Sequence, residues 1–228
     1  MQLRRYKNED CKTLYDWRVH PTARVMFLNS EVFPYEDHEK WFKNFIADDK
    51  RLGLMLENEK QELVGHIRLW PGDFEGGMRI SVAVSPEFYG KGYGTKILKM
   101  GCDNDELIKR SIFLIAEIKE NNIASQRMCE KNAFVSLGNI TSDGFTYFYT
   151  VRLVRKDLSL VPISVEGTSD VKKAVKKILD LVGLTYAETS KIKINAEKYE
   201  NLLKDDPTQF RISIFKIISE TLSTIGDK

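Results

Sequence analysis

The sequence predicts an α/β fold: a mixed, mostly antiparallel central sheet flanked by helices, followed by a small helical C-terminal bundle. Three observations predict it. Strand-like apolar segments interleave with helical stretches over residues 1–154. A glycine-rich turn joins a strand to a helix between Val82 and Leu98, read V-A-V-S-P-E-F-Y-G-K-G-Y-G-T-K-I-L. Residues 155–228 then change character and carry amphipathic helical stripes.

Leu3 to Tyr6 reads as the opening strand, and Asn8 to Asp10 supply capping and first-turn residues for a helix reaching about His20, ahead of Pro21. A second helix, Glu36 to Ala47, follows Pro34. Leu52 to Leu56 and Leu63 to Leu69 are apolar runs joined through N-E-K-Q, the pattern of a hairpin, and Met78 to Val84 adds the next strand. After a helix from about Thr95, Ile112 to Ile118 is nearly continuous apolar sequence, which predicts a strand buried on both faces. A helix from Ile123 to Asn132 follows; then Phe134 to Leu137 and Phe145 to Leu153, with Ser142-Asp143-Gly144 as the turn between them, close the sheet.

In the tail, Ser169 or Asp170 is placed to cap a helix with Val171, Ala174, Val175, Ile178 and Val182 on one side, stopped by Gly183. Thr185 and Glu188 form a capping-box pattern for another helix, and Pro207 suits the first turn of a last one carrying Phe210, Ile214, Ile217, Ile218 and Leu222. The expected division is therefore a domain over 1–154 and a small helical domain over 155–228, which would dimerise the protein, border a cleft of the first domain, or form an inert appendage.

Composition excludes several classes. The chain has 228 residues, enough for a full core and a small second domain. Its formal net charge of +2 lacks the basic excess of a general nucleic-acid binder. It has no apolar run of about 18 residues or more, and M-Q-L-R-R-Y-K lacks the apolar core of a signal peptide. A cytoplasmic protein with neither membrane nor nucleic acid as partner is expected. Cys11, Cys102 and Cys129 are an odd number at spacings that match no zinc pattern, so neither a disulfide framework nor a metal is expected.

The glycine-rich turn reads as a phosphate cradle. Gly90, Gly92 and Gly94 permit backbone turns that a side chain would obstruct, so the N–H groups of Gly90, Lys91, Gly92, Tyr93, Gly94 and Thr95 can converge on an anion. The following helix adds its positive end, and a pyrophosphate fits such a site. The segment lacks the G-K-[ST] ending of a P-loop and the acidic residue of a dinucleotide fold.

Tyr89, Gly92 and Gly94 occupy the pattern Arg/Gln-x-x-Gly-x-Gly/Ala, and this segment resembles the acyl-CoA-binding turn of the GNAT N-acyltransferases, with Tyr89 in place of Arg or Gln. Residues 117–134, E-I-K-E-N-N-I-A-S-Q-R-M-C-E-K-N-A-F, resemble the family's E-N-N-x-A-S-x-x-x-Y-E-K-x-G-F, with Cys129 for the tyrosine and Ala133 for the glycine. The resemblance covers about residues 1–154. It implies a GNAT fold, acetyl-CoA or a larger acyl-CoA as co-substrate, and direct attack of an amine on the thioester. It also implies that backbone N–H groups at Val82 and Val84, on a splayed fourth strand, receive the thioester carbonyl and pantetheine arm. Asn122 and Ser125 would face the pantetheine or its thiol end.

Glu117 is the first candidate for general base, because a carboxylate at the end of a buried strand can have its pKa raised by desolvation, and it matches a catalytic glutamate of some family members. The alternative is a strand-end residue that is merely solvated or ion-paired. His66 is the second candidate, its ordinary pKa of about 6.5 already suiting it to accept a proton. Cys129 stands in the register of the tyrosine that often acts as general acid. A thiolate leaving group, with a conjugate-acid pKa of about 8.5 in cysteine, can depart without that help, so packing is the other reading of Cys129.

For the acceptor, D-W-R-V-H-P-T-A-R-V-M-F and Y-E-D-H-E-K-W-F resemble GNAT enzymes that acylate nucleotide-linked amino sugars, notably in pseudaminic acid biosynthesis. Trp17, Phe27 and Trp41 offer flat surfaces for a sugar or base, while Arg18, Arg24 and His38 can pair with a diphosphate; the alternative is that these aromatics simply pack the two helices onto the sheet. The resemblance implies transfer of acetyl, or of a group such as 3-hydroxybutyryl, to an amine on a dTDP- or UDP-linked deoxyamino sugar. Two other readings are an N-terminal acetyltransferase of the ribosomal-protein type, which shares W-R and E-K-x-x-F, and a non-catalytic CoA-binding scaffold, which Tyr89 and Cys129 motivate.

Overall fold

A computed structural model describes residues 1–27, 29–142 and 144–226. The elements are β1 (Gln2–Arg5), α1 (Asp10–Val19), α2 (Pro21–Arg24), α3 (Tyr35–Ala47), β2 (Leu52–Glu57), β3 (Leu63–Pro71), β4 (Gly77–Val84), α4 (Tyr93–Cys102), α5 (Asp105–Arg110), β5 (Phe113–Lys119), α6 (Ile123–Lys131), β6 (Val135–Ser142), β7 (Phe145–Leu153), β8 (Pro162–Glu166), α7 (Ser169–Val182), β9 (Thr185–Tyr186), β10 (Ile192–Asn195), α8 (Glu200–Asp205) and α9 (Pro207–Gly226). One sheet has seven strands in the order β1-β2-β3-β4-β5-β7-β6, and a second has the order β10-β8-β9. The pairs β1–β2, β2–β3 and β6–β7 are antiparallel, whereas β8 pairs in parallel with both β9 and β10.

The chain divides into two compact units, residues 1–71, 79–107 and 118–133, and residues 72–78, 108–117 and 134–228. In the first, the two-residue period of β3 sends Ile67 and Leu69 to one face and His66 and Arg68 to the other. The α4 helix covers the first face so closely that a Cβ on Gly101 would lie 2.7 Å from Ile67. Helices α1 and α3 cover the second, burying Cys11, Leu14 and Phe42 against Met55 of β2. Each fully buried large apolar side chain of this kind contributes about 1.5–3 kcal/mol. The Arg4 guanidinium ties β1 to this layer, donating to both carboxylate oxygens of Asp10 at 2.8 Å and to Glu57 at 2.5 Å.

In the second unit, Phe215 of α9 packs edge-on against Phe113 at 4.7 Å and Phe74 at 5.6 Å, and the Ser219 hydroxyl donates to the Glu75 carbonyl at 2.7 Å. Val171, Val175, Ile178, Leu179 and Val182 form the buried stripe of α7. That helix is capped by Thr168, one residue ahead of the expected Ser169 and two ahead of Asp170, and ends at left-handed Gly183.

The C-terminal helices α7 and α9 stand where the sequence places them, but the helix expected from Thr185 does not form. The Thr185 hydroxyl donates to the Ser159 carbonyl at 2.8 Å, and its strand pairs with Pro162 and Ile163, so the capping box gives way to a parallel ladder. Three short helices, α2, α5 and α8, were not expected; the imidazole of His20 and the amide of Asn104 cap the first two. The β6 strand extends beyond Leu137 to Ser142, bulging between Ser136 and Gly138, and Asp143 of the expected turn lies outside the described residues. Among the described residues, no helix is long and apolar enough to cross a membrane, and no group of three or more His, Cys, Asp or Glu could hold a metal ion.

Candidate functional site

The glycine-rich turn begins where β4 ends. The Ser85 N–H donates to the Val64 carbonyl at 2.9 Å, a 3-10 turn over Pro86–Phe88 redirects the chain, and α4 starts at Tyr93. Gly90 and Gly92 have φ of +74° and +78°, and no atom lies within 4 Å of where a Cβ on either would stand. Glycine is therefore required by backbone conformation rather than by crowding. Among the described residues, no acceptor takes the N–H groups of Gly90 through Thr95. Lys91 braces the turn, its ammonium donating to the Glu87 carbonyl at 3.1 Å and lying 4.8 Å from the Phe88 ring centroid. Unclaimed donors at a helix start can hold a diphosphate.

Of the other expected cofactor residues, Val82 and Val84 lie half-buried at the end of β4, and Ser125 is half-buried on the first turn of α6. Asn122 has both amide atoms engaged: Oδ1 accepts from the Ser125 N–H at 3.1 Å and Nδ2 donates to the Met26 carbonyl at 3.3 Å. Its side chain caps α6 and ties it to the segment after α2. Glu117 lies on β5, half-buried, in the second compact unit. Cys129 is a buried thiol on α6.

A cavity of about 260 Å³ opens within the first unit, lined by Tyr6, Leu14, Trp17, Arg18, Phe27, Phe33, Asp37, His38, Trp41, His66, Arg68 and Ala83. Trp17, Arg18 and His38 of the expected acceptor residues converge here; Arg24, half-buried on α2, is not in the lining. His66 lines the cavity too, with its Nδ1 2.5 Å from the Tyr6 hydroxyl. Burial above all, then the charge of Arg68, depresses the His66 pKa to about 3. Burial likewise takes His38 down to about 4, against a hydrogen bond to the Cys11 backbone and with the charges of Arg68 and Arg18 adding to the fall. Both rings are neutral near pH 7, and the imidazolium of His66 is disfavoured.

Sequence reasoning passed over Arg68 and Tyr6. The signal for Arg68 was the alternation H-I-R-L-W from His66 to Trp70, which puts His66, Arg68 and Trp70 on one face of β3. Tyr6 follows β1 directly, and its ring lies over Gly53, where a Cβ would come within 2.2 Å of it.

A family described as acetyltransferase (GNAT) domain matches residues 1–135. No curated protein matches the chain in sequence. Among solved structures, a spermidine N-acetyltransferase SpeG chimera from Vibrio cholerae and hSSAT is 15% identical with a TM-score of 0.59, over 68% of this chain and 96% of that one. AAC(6')-Ib in complex with paromomycin and acetyl-CoA is 18% identical with a TM-score of 0.57, over 67% and 92%. The yncA protein of Salmonella typhimurium, solved with acetyl-CoA, is 19% identical with a TM-score of 0.54, over 68% and 94%. These likenesses support the fold.

Proposed function

The chain belongs to the acetyltransferase (GNAT) family, and from that premise we propose that it transfers an acyl group, acetyl by default, from acyl-CoA to the amine of a nucleotide-linked deoxyamino sugar. The observation that carries the acceptor half is the meeting of Trp17, Arg18 and His38 in one cavity walled by aromatic rings. At about 260 Å³ it is smaller than the roughly 300–1,000 Å³ that encloses a drug-sized ligand. It therefore takes the amine-bearing ring and the group next to it, with the nucleotide outside.

The residues present fit acyl-CoA. The unclaimed N–H groups of Gly90 through Thr95 would hold its diphosphate, backbone at Val82 and Val84 its pantetheine arm, and Ser125 its thiol end. Bound acyl-CoA supplies the activated thioester. Glu117 is the proposed base, taking the proton that an ammonium acceptor must lose before its lone pair can attack. Cys129, buried on α6, packs that helix, since a departing thiolate needs little proton assistance.

Incubation with acetyl-CoA and a panel of dTDP- and UDP-linked amino sugars, peptides and polyamines, followed by release of free thiol, tests the reading. Turnover of a nucleotide amino sugar is expected. Turnover of peptides alone would overturn it, as would tight CoA binding with no thiol release for any amine.

A further inference from the structure

We propose that Arg18 and Arg68 form an anion seat in the wall of the acceptor cavity, and that Arg68 makes the site select acceptors carrying a phosphoryl or carboxylate group beside the amine. The selection of acceptors rests on the acyltransfer reading above; the seat itself does not.

Two aromatic pairs hold the guanidiniums. That of Arg68 lies 5.0 Å from the Trp41 ring centroid and 5.3 Å from that of Trp70. That of Arg18 lies 4.4 Å from the Phe27 centroid and 5.5 Å from that of Phe33, and its Nη2 donates to the Asn29 carbonyl. Such stacking fixes the planes of the two forks while leaving N–H edges free. Opposite Arg68 in the ladder stands Gly53, whose missing side chain gives room to the Tyr6 ring.

Three nitrogens in this lining, Arg18 Nη1, Arg68 Nε and His38 Nε2, are buried with no hydrogen-bond partner among the described residues. They come from three different elements, α1, β3 and α3, and belong to one cavity; the neutral His38 ring, held by the Cys11 backbone, presents Nε2 as an acceptor, so the anion donors are the two guanidinium nitrogens. Among the lining residues, two guanidiniums face a single carboxylate, that of Asp37, which is exposed at the start of α3. A buried guanidinium N–H left unpaired is costly, and the natural partner for two guanidinium forks is a group with several anionic oxygens. An amine acceptor with further positive charges meets the same two guanidiniums as repulsion.

The chain has three tryptophans; Trp17 and Trp41 line this cavity and Trp70 stacks on Arg68, so intrinsic fluorescence reports on the seat and not on the glycine-rich turn. Inorganic pyrophosphate titrated into the whole protein, with coenzyme A present in excess, is expected to change tryptophan emission saturably. Arg68→Met is expected to weaken that response at least tenfold and Arg18→Gln to weaken it as well, while Gly92→Ala leaves it intact. Acetate in place of pyrophosphate distinguishes a carboxylate-sized from a phosphoryl-sized seat. With acetyl-CoA, Arg68→Met should raise turnover of spermidine relative to glucosamine 6-phosphate. Emission unmoved by both anions, or moved equally in wild type and Arg68→Met, would overturn the seat. If no amine is acetylated, the acyltransfer reading fails and the fluorescence titration still decides the seat.

Discussion

The phenolic oxygen of Tyr6 lies 2.5 Å from Nδ1 of His66, joining the residue after the first strand to the face of the third. Burial raises the pKa of Tyr6 and lowers that of His66, so both stay neutral across the physiological range. This neutral pair has a consequence for acid stability.

In the unfolded chain His66 takes up a proton as pH falls through about 6.5, whereas in the folded protein it resists until about 3. The unfolded state binds more protons between those values, so the contribution of the neutral ring is complete above pH 6.5 and is lost as pH falls toward 3. The thermal midpoint of the wild type should drop between pH 6.5 and 4, and His66→Asn should drop less steeply. Equal slopes in the two proteins would show that His66 does not resist protonation.

Asp10 is 1% exposed and accepts two hydrogen bonds from Arg4 and one, at 2.7 Å, from the Lys7 N–H. Asp10→Ala leaves the Arg4 guanidinium without its main partner, and removal of one member of a buried pair costs about 3 kcal/mol or more. Urea denaturation should show the loss, and Asp10→Asn should recover part of it through the Lys7 hydrogen bond.

A Cβ on Gly65 would lie 2.6 Å from the Ala83 carbonyl oxygen, 2.6 Å from Ile97 and 3.0 Å from the Val84 Cα. Backbone cannot retreat as a flexible side chain can, so Gly65→Ala should destabilise by about 1–3 kcal/mol. Because the displaced residues include the proposed pantetheine strand, its affinity for CoA should fall even where the protein is folded. Calorimetric titration of the folded fraction measures this.

If Glu117 is the base, Glu117→Gln should reduce kcat by about 10²–10⁴ while leaving CoA affinity nearly unchanged. Steady-state kinetics alongside a binding titration separates the two, and unchanged turnover would remove Glu117 from that role.

Much of the fold can be read along the chain because its strands are long, apolar and bounded by turn residues. Leu52 to Leu56 with Leu63 to Leu69, and Phe145 to Leu153, are such cases, and the amphipathic stripe of α7 is another. What local pattern hides is settled by distant partners. Thr185 and Glu188 form a good capping box in isolation, but the parallel ladder with β8 takes Thr185 and Tyr186 instead. Helix α2 is too short for periodicity to show and depends on a histidine cap. At the site, the aromatic and basic residues around Trp17 and His38 stand out in sequence, whereas Arg68 is masked by the apolar neighbours Ile67 and Leu69. Asn122 illustrates the reverse: a motif residue whose polar atoms the fold itself consumes.

The unclaimed amides from Gly90 to Thr95 are proposed to grip the diphosphate of CoA. Amide-resolved NMR of the whole protein, titrated with coenzyme A, tests it most directly. The N–H resonances of Gly90 through Thr95 should shift furthest and saturate together; saturable CoA binding that leaves those six resonances in place would contradict the account.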